Sequence, residues 1–511
     1  MASASRIGPV AVPETPSTPE RIEAAASVPL IFELSSEGRR ASDLSPRASG
    51  ERRGAEIIGA ELCREDLPGF PELSEPQVIR HFLRLSQLNF AQALQFYPLG
   101  SCTMKYNPVV NDELAALPGL AALHPATPAH LAQGALEILA RMEAALAEIT
   151  GMDAVSLHPA AGAQGELTGL LMVRAYHRKR GEVRHKVIIP DTAHGTNPAS
   201  CRLAGFKVIV AKSNRRGYLE AAEVRRLASD DVAAMMVTNP NTLGIFEPEI
   251  QDIAAALHER GAMLYLDGAN MNALLGVAKP GHMGADVVQL NLHKTFSTPH
   301  GGGGPGAGPV AVKKHLEPFL PMPRLRQSSA GWEFDDQRPD SIGRMRSFHN
   351  NFGMIVRAYA YILALGGDGL EMASRLAILG ANYVRKRLQP HFPSATGEPS
   401  MHECVLSHDL EKRAQVSTLE IAKRLLDFGM HPPTIYFPLV VPGALMIEPT
   451  ETESKQVLDS FVDAMERIYA EALNDPGRVR NAPQTTPVSR VDEAGAARRP
   501  ILRWVVATTA Q

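Results

Sequence analysis

A lysine and an aspartate, each at the end of an apolar run, carry the chemistry that is easiest to read in this chain. Lys294 follows "VVQLNLH". A solvated surface lysine is the ordinary alternative, but this one ends a strand-like run and does not sit on a helix face. An amine in that place is partly desolvated, which lowers its pKa and makes it a usable nucleophile. Asp267 ends "AMLYLDG", 27 residues earlier, which leaves room for one crossover and one further strand. Alone, that carboxylate reads equally well as a helix N-cap or a metal ligand. Together at neighbouring strand ends, an acid and an amine match what pyridoxal phosphate requires. The lysine forms the Schiff base and the aspartate keeps the pyridine nitrogen protonated.

Three further stretches follow strand-like runs. "AAGAQGE" (160–166) reads as a loop between a strand and a helix. Backbone N–H groups at a helix start make an anion cradle, and small residues let a phosphate come close. Gly162, Ala163 and Gln164 are the phosphate-side candidates, against the plainer reading of a tight turn. The loop lacks the Lys-Ser/Thr of a Walker A motif and the spacing of a dinucleotide fingerprint. His194, in "PDTAHGTNPAS", is placed to stack on a cofactor ring, although a lone histidine is more often structural. Thr238, Asn239 and Asn241 could reach the same crevice. His293 reads either as a phosphate-side residue or as a support behind one. Glycines 301–304 read as a close backbone approach where no side chain fits, with a flexible linker as the alternative.

These residues need elements to hold them. From Thr127 the chain alternates short β-branched runs with longer helical patterns. "HLAQGALEILARMEAALAEITG" reads as an amphipathic helix closed by Gly151. "AVSLHP", "KVIIP", "FKVIVA", "AAMMVTNP", "MLYLDG" and "DVVQLNL" read as strands. Such alternation implies an α/β fold with a mostly parallel, doubly wound sheet, whose ligands lie beyond the carboxyl ends of the strands. The chain divides into a disordered extension (1–28), an N-terminal segment wrapping on a partner (29–126) and a large cofactor-binding domain (127–350). A smaller C-terminal α/β domain (351–475) and a tail (476–511) follow.

Composition narrows the class. The chain has 511 residues, 44% hydrophobic and 21% charged, with a net charge of −3. That profile suits a globular protein and gives no reason to expect a nucleic-acid or anionic-membrane partner. No apolar run approaches the roughly 20 residues that span a bilayer. Cys63, Cys102, Cys201 and Cys404 are scattered without a CxxC, so neither a disulfide framework nor a zinc site is indicated, and a reducing cytoplasm fits best.

"LYLDGANMNALLG", "NLHKTF", "PHGGGGPGAGPV", "FYPLGSCTMKYNP", "SLHPAAGAQGE" and "DTAHGTNPAS" together resemble the glycine decarboxylase family, the P-protein of the glycine cleavage system. The likeness covers residues 90–350. "LIFELSSEGRRASDLSP" and "RVDEAGAARRPILRW" resemble the family's separate second subunit, and a fused P-protein is about twice this length. The Pro-rich N-terminus and Ser297-Thr298 depart from the usual pattern without touching the chemistry.

The resemblance implies a fold-type I pyridoxal-phosphate enzyme in which Lys294 carries the cofactor, Asp267 pairs with its pyridine nitrogen and His194 stacks on its ring. It also implies that Ser101, Cys102, Thr103 and Lys105 line the entrance or the glycine site. The implied reaction removes carbon dioxide from glycine and passes the aminomethyl group to the lipoyl arm of the H-protein, in an α2β2 assembly with an α subunit. A packed Cys102 is the plainer reading than a redox handle. Arg344, Arg346 and His349 are open candidates for the glycine carboxylate. The alternatives are another fold-type I decarboxylase, an aminotransferase, or a non-catalytic scaffold subunit.

Overall fold

Short apolar runs bounded by Gly, Pro, Asn and Asp build a seven-stranded sheet. Its strands are β1 (Ala154–Ser156), β2 (Lys186–Pro190), β3 (Lys207–Ala211), β4 (Val232–Thr238), β5 (Met263–Gly268), β6 (Val287–Leu290) and β7 (Val310–Val312). The computed structural model describes residues 28–39, 54–64, 69–301 and 306–502. Strand order is β1-β7-β6-β5-β4-β2-β3. The pairings β2/β3, β2/β4, β4/β5 and β5/β6 are parallel, and β7 runs antiparallel to both β1 and β6.

Helices cover both faces, which is why β4 is buried at every residue. Side-chain alternation divides the core accordingly. Met235, Val237, Leu264, Leu266 and Val288 join one apolar cluster, while Ala234, Met236, Met263, Tyr265 and Val287 join the other. The helix Gln133–Thr150 ends at Gly151 in a left-handed conformation (φ 68°), as its sequence requires.

Three local expectations change. "AAGAQGE" is not a free loop: a helix runs Gly162–Lys179 after the extended Ala161, so Gly162, Ala163 and Gln164 form its first turn. Glycine there suggests a loop by propensity, but Asn291 occupies the space a Cβ on Gly162 would fill. Part of "PDTAHGTNPAS" is likewise helical, Thr196–Leu203. Lys294 lies four residues beyond the end of β6, in a turn whose amide donates to Asn291 O (3.1 Å), and not at the strand end itself.

The helix Phe352–Leu388, broken at Gly366 (φ 61°, ψ −173°), leads from this layer to a second core. There β10 (Cys404–Leu406), β11 (Thr434–Ile435) and β12 (Leu445–Ile447) pair antiparallel in the order β10-β12-β11. Helices Thr418–Asp427 and Lys455–Asn474 pack on them, and Phe392, Phe461 and Ile468 are fully buried. Phe96 and Val479 belong to the same cluster. A hairpin of β8 (Arg324–Ser328) and β9 (Gly331–Asp335) stands apart from both sheets.

The chain forms two compact units, Ala91–Asn481 and a second made of Met1–Phe90 with Ala482–Gln511. The first therefore takes in residues 91–126 and 476–481. The second, where described, includes the helices Glu75–Ser86, closed by a Ser74/Gln77 capping box, and Glu493–Arg498, capped by Asp492. The extension expected over 1–28 lies almost wholly outside the described residues. Of the four consecutive glycines only Gly301 is described, in a left-handed conformation (φ 62°), and the expectation for 302–304 falls outside.

Candidate active site

The carboxyl ends of β4, β5 and β6 open into one polar crevice. It is lined by Ser101, Ala163, Glu166, His194, Thr196, Thr238, Thr242, Asp267, Ala269, Gln289, Asn291 and Lys294. Asp267 and Lys294 thus meet because β5 and β6 are adjacent and parallel, with Asp267 in register with Gln289. The Asp267 carboxylate is 2% exposed. It accepts from Asn197 Nδ2 (2.9 Å), from the Ala269 amide (3.0 Å) and from Gln289 Nε2. All three of these donors are neutral.

His194 is open to the crevice, yet enough protein surrounds it that burial, and then Lys294, lower its pKa. The imidazole is neutral, its Nδ1 sits 3.0 Å from Thr196 Oγ1, and its ring lies edge-on to Phe437 (centroids 5.5 Å apart). Ala163 brings the start of the Gly162–Lys179 helix to the crevice wall. The first amides of a helix have no intrahelical partner and suit an anion. Gly308 lets the backbone close in beside that turn, since a Cβ there would overlap the Ala161 carbonyl.

Other expected residues stand further out. Gln164 turns away, its Nε2 donating to Met345 O (3.0 Å) and its Oε1 accepting from the Ala160 amide. Asn239 Oδ1 accepts from the Glu247 amide (3.0 Å), and Asn241 donates to Glu247 Oε1 (2.7 Å) and to Gly217 O (3.0 Å). His293 packs behind the lining Asn291, its ring against His300 and Gly306. Ser101 reaches the crevice. Thr103 and Lys105 are each 2% exposed and tied to Glu448 and Glu451. Burial, offset in part by Lys294, pushes the Cys102 thiol up to about 11, so at neutral pH it is not a thiolate. Arg344, Arg346 and His349 are not among the lining residues. Arg344 pairs with Asp336 and Arg346 donates to Asn351 (2.8 Å), while His349 lies 5.6 Å from the His158 ring.

The sequence reading missed Glu166, Gln289 and Asn197. Glu166 accepts from Thr196 Oγ1 and Ser200 Oγ (both 2.8 Å). Burial and the neighbouring Asp267 push it up to about 7. Its position inside the quoted Gly-rich stretch was the available signal. Asn197 and Gln289 gave none, because they matter only through Asp267.

This lining suits pyridoxal phosphate. It sets a buried carboxylate, a lysine amine and a helix start around one space. Thr238 Oγ1, Gln289 Oε1 and Asn291 Oδ1, all on lining residues, are buried with no hydrogen-bond partner among the described residues. A larger apolar groove around Phe246, Ile250 and Leu370, about 620 Å³, has no such convergence.

Comparisons with known proteins bear on the family and the fold. Residues 58–325 match the family described as glycine cleavage system P-protein, and residues 373–484 match the glycine dehydrogenase C-terminal domain. A probable glycine dehydrogenase (decarboxylating) subunit 2 of Caldanaerobacter subterraneus subsp. tengcongensis is 53% identical, over 93% of this chain and 98% of its own length. One from Listeria monocytogenes serotype 4b is 51% identical, over 94% and 98%. Among solved structures, an inhibitor-bound glycine decarboxylase (P-protein) aligns with a TM-score of 0.68 at 22% identity, covering 81% of this chain and 94% of that one. A Lactobacillus brevis glutamate decarboxylase aligns at 0.63 and 14%, covering 82% and 98%. The structural likenesses show the fold alone.

Proposed function

The chain belongs to the glycine cleavage system P-protein family, and on that premise we propose that it decarboxylates glycine with pyridoxal phosphate held in the Lys294 crevice. The observation that carries the reading is the meeting of Lys294, Asp267 and His194 in one crevice beyond the carboxyl ends of the parallel strands. Bound pyridoxal phosphate supplies the sink for the electron pair left on the glycine carbon when carbon dioxide departs.

Each residue then has a task that its surroundings support. Lys294 would hold the cofactor through its amine. Asp267, fixed by three donors and shut off from water, would keep a proton on the pyridine nitrogen. The first turn at Gly162 and Ala163 would hold the phosphate, with His293 supporting from behind. His194, hydrogen-bonded to Thr196, would face the ring. Gln164 and Asn239 serve by bracing the loops that line the crevice.

The aminomethyl group passes to the oxidised lipoyl arm of the H-protein, which enters beside Ser101 and Cys102. A partner subunit 1 is expected from the names of the relatives, and we propose an α2β2 assembly. No helix among the described residues is long and apolar enough to cross a membrane, and all four cysteines are free.

The test is exchange of labelled bicarbonate into glycine by the chain with its partner subunit and lipoylated H-protein. Exchange is expected, together with a cofactor absorbance band that Lys294→Ala abolishes. A band unchanged in Lys294→Ala, or exchange absent from the native assembly, would overturn the reading.

A further inference from the structure

Beside the crevice lies a second set of buried groups that the reaction, as derived so far, does not use. Glu403 and Glu448 flank the small sheet, immediately before β10 and immediately after β12, and both are 0% exposed. They face the segment Gly100–Lys105. That segment is seated along β12: Leu99 bridges Ile447, the Glu448 amide donates to Pro98 O (3.2 Å) and Thr434 Oγ1 donates to Gly100 O (2.9 Å).

Ser101 and Thr103 both adopt left-handed backbone conformations, at φ 62° and 48°. For residues with a Cβ, such conformations are strained and persist only when their surroundings impose them. Glu403 and Glu448 do so. Glu403 Oε2 accepts the Ser101 amide at 2.7 Å. Glu448 Oε2 accepts the Thr103 amide at 2.8 Å, and its Oε1 accepts the Thr103 hydroxyl at 2.5 Å. Burial pushes both carboxyl groups above the usual carboxylate range, Glu403 also because Glu448 lies beside it, so these bonds are made to acceptors shut off from water. Two residues on, the Lys105 ammonium meets Glu451 (2.7 Å), Asn272 (2.9 Å) and Tyr361 (3.0 Å), which anchors the far end of the turn. Ser101 reaches the crevice that Lys294 lines.

We propose that Glu403 and Glu448 are positioning residues for the reaction: they clasp the Ser101–Thr103 turn so that Ser101 forms one wall of the amino-acid site. The C-terminal sheet thereby sets how tightly a small amino acid is held, while the large sheet carries the cofactor chemistry. Loss of the clasp lets the two left-handed residues relax and the wall withdraw. Substrate affinity then falls while the groups around Lys294 stay in place. The proposal rests on reading the crevice as the glycine site, but its first test needs neither glycine nor cofactor.

That test is amide hydrogen exchange of the peptide spanning residues 97–107, in the full chain with its partner subunit. The Ser101 and Thr103 amides are expected to be protected in the native protein. Glu403→Ala should speed exchange of the Ser101 amide, and Glu448→Ala that of the Thr103 amide, each at least tenfold. Glu448→Gln, which keeps one acceptor oxygen, should retain the Thr103 protection. In the loaded enzyme, Glu448→Ala is expected to raise KM for glycine at least tenfold, with kcat within about threefold and the cofactor absorbance unchanged. Should Glu448→Ala not fold, Glu403→Ala gives the same comparison, at the Ser101 amide and in KM for glycine. Unchanged exchange at both amides would overturn the proposal, as would a kcat loss at constant KM. A stoichiometric metal ion that binds through His402, Glu403 and Glu448 and leaves with either substitution would also overturn it.

Discussion

Asp267 on β5 stands in register with Gln289 on β6, and Gln289 Nε2 donates to Asp267 Oδ1 across the two strands. With Asn197 and the Ala269 amide, this holds a buried carboxylate in one orientation. Removing its charge while keeping its shape isolates its task. Asp267→Asn should bind the cofactor yet lose at least about a hundredfold in bicarbonate exchange, the scale of losing one preorganised electrostatic partner. Comparing cofactor absorbance with exchange rate checks it: equal losses in both would mean that Asp267 only shapes the crevice.

Gly308→Ala should weaken cofactor binding. Its Cβ would run into the Ala161 carbonyl and press on the Gly162 amide at the helix start. Overpacking of this kind costs about 1–3 kcal/mol, or roughly tenfold to a hundredfold in affinity if spent on the phosphate site. Titration of the cofactor-free chain with pyridoxal phosphate reads the change. An unaltered affinity would put the phosphate elsewhere.

The Lys105–Glu451 ion pair has side chains 1% and 9% exposed. Burial alone would lower the Lys105 pKa, but Glu451 and Tyr361 outweigh it and the net shift is upward, so both partners stay charged. Lys105→Met strands a buried carboxylate and should cost about 3–5 kcal/mol in urea unfolding. Lys105→Met with Glu451→Met should recover most of that. If the double variant is as unstable as the single, the charge pairing is not what Lys105 supplies.

Glu166 gives the cofactor-free chain a pH dependence of definite sign. Burial and Asp267 raise its folded pKa from 4.5 to about 7. The folded state then holds more protons than the unfolded state between those values, so stability falls as pH rises through that window. Glu166→Gln should flatten the fall between pH 4.5 and 7 in thermal melts of the cofactor-free protein. An identical slope in the variant would mean that other groups set it.

Much of this was legible in the residues themselves. Strand runs such as "MLYLDG" and "KVIIP" must be buried on two faces, and Gly151 must end its helix, because local sterics and hydrophobicity decide both. A parallel sheet then fixes where ligands go, so Lys294, Asp267 and His194 could be drawn to one crevice before any coordinates. Local propensity failed where distant contacts override it. Gly162 starts a helix because Asn291 fills the space beside it. Gln164 points away from the crevice because Met345 O and the Ala160 amide claim its side chain.

A mostly parallel sheet and the amine–acid pair beyond its strand ends follow from periodicity and from spacing along one chain, whereas the strand order needs the fold. Which groups surround them depends on contacts between segments far apart in the chain. Glu403 and Glu448 meet Ser101 and Thr103 across more than 300 residues, and Gln289 reaches Asp267 only through strand register. A carboxylate's role depends on which donors face it, and no local pattern records a donor supplied from the far end of the chain.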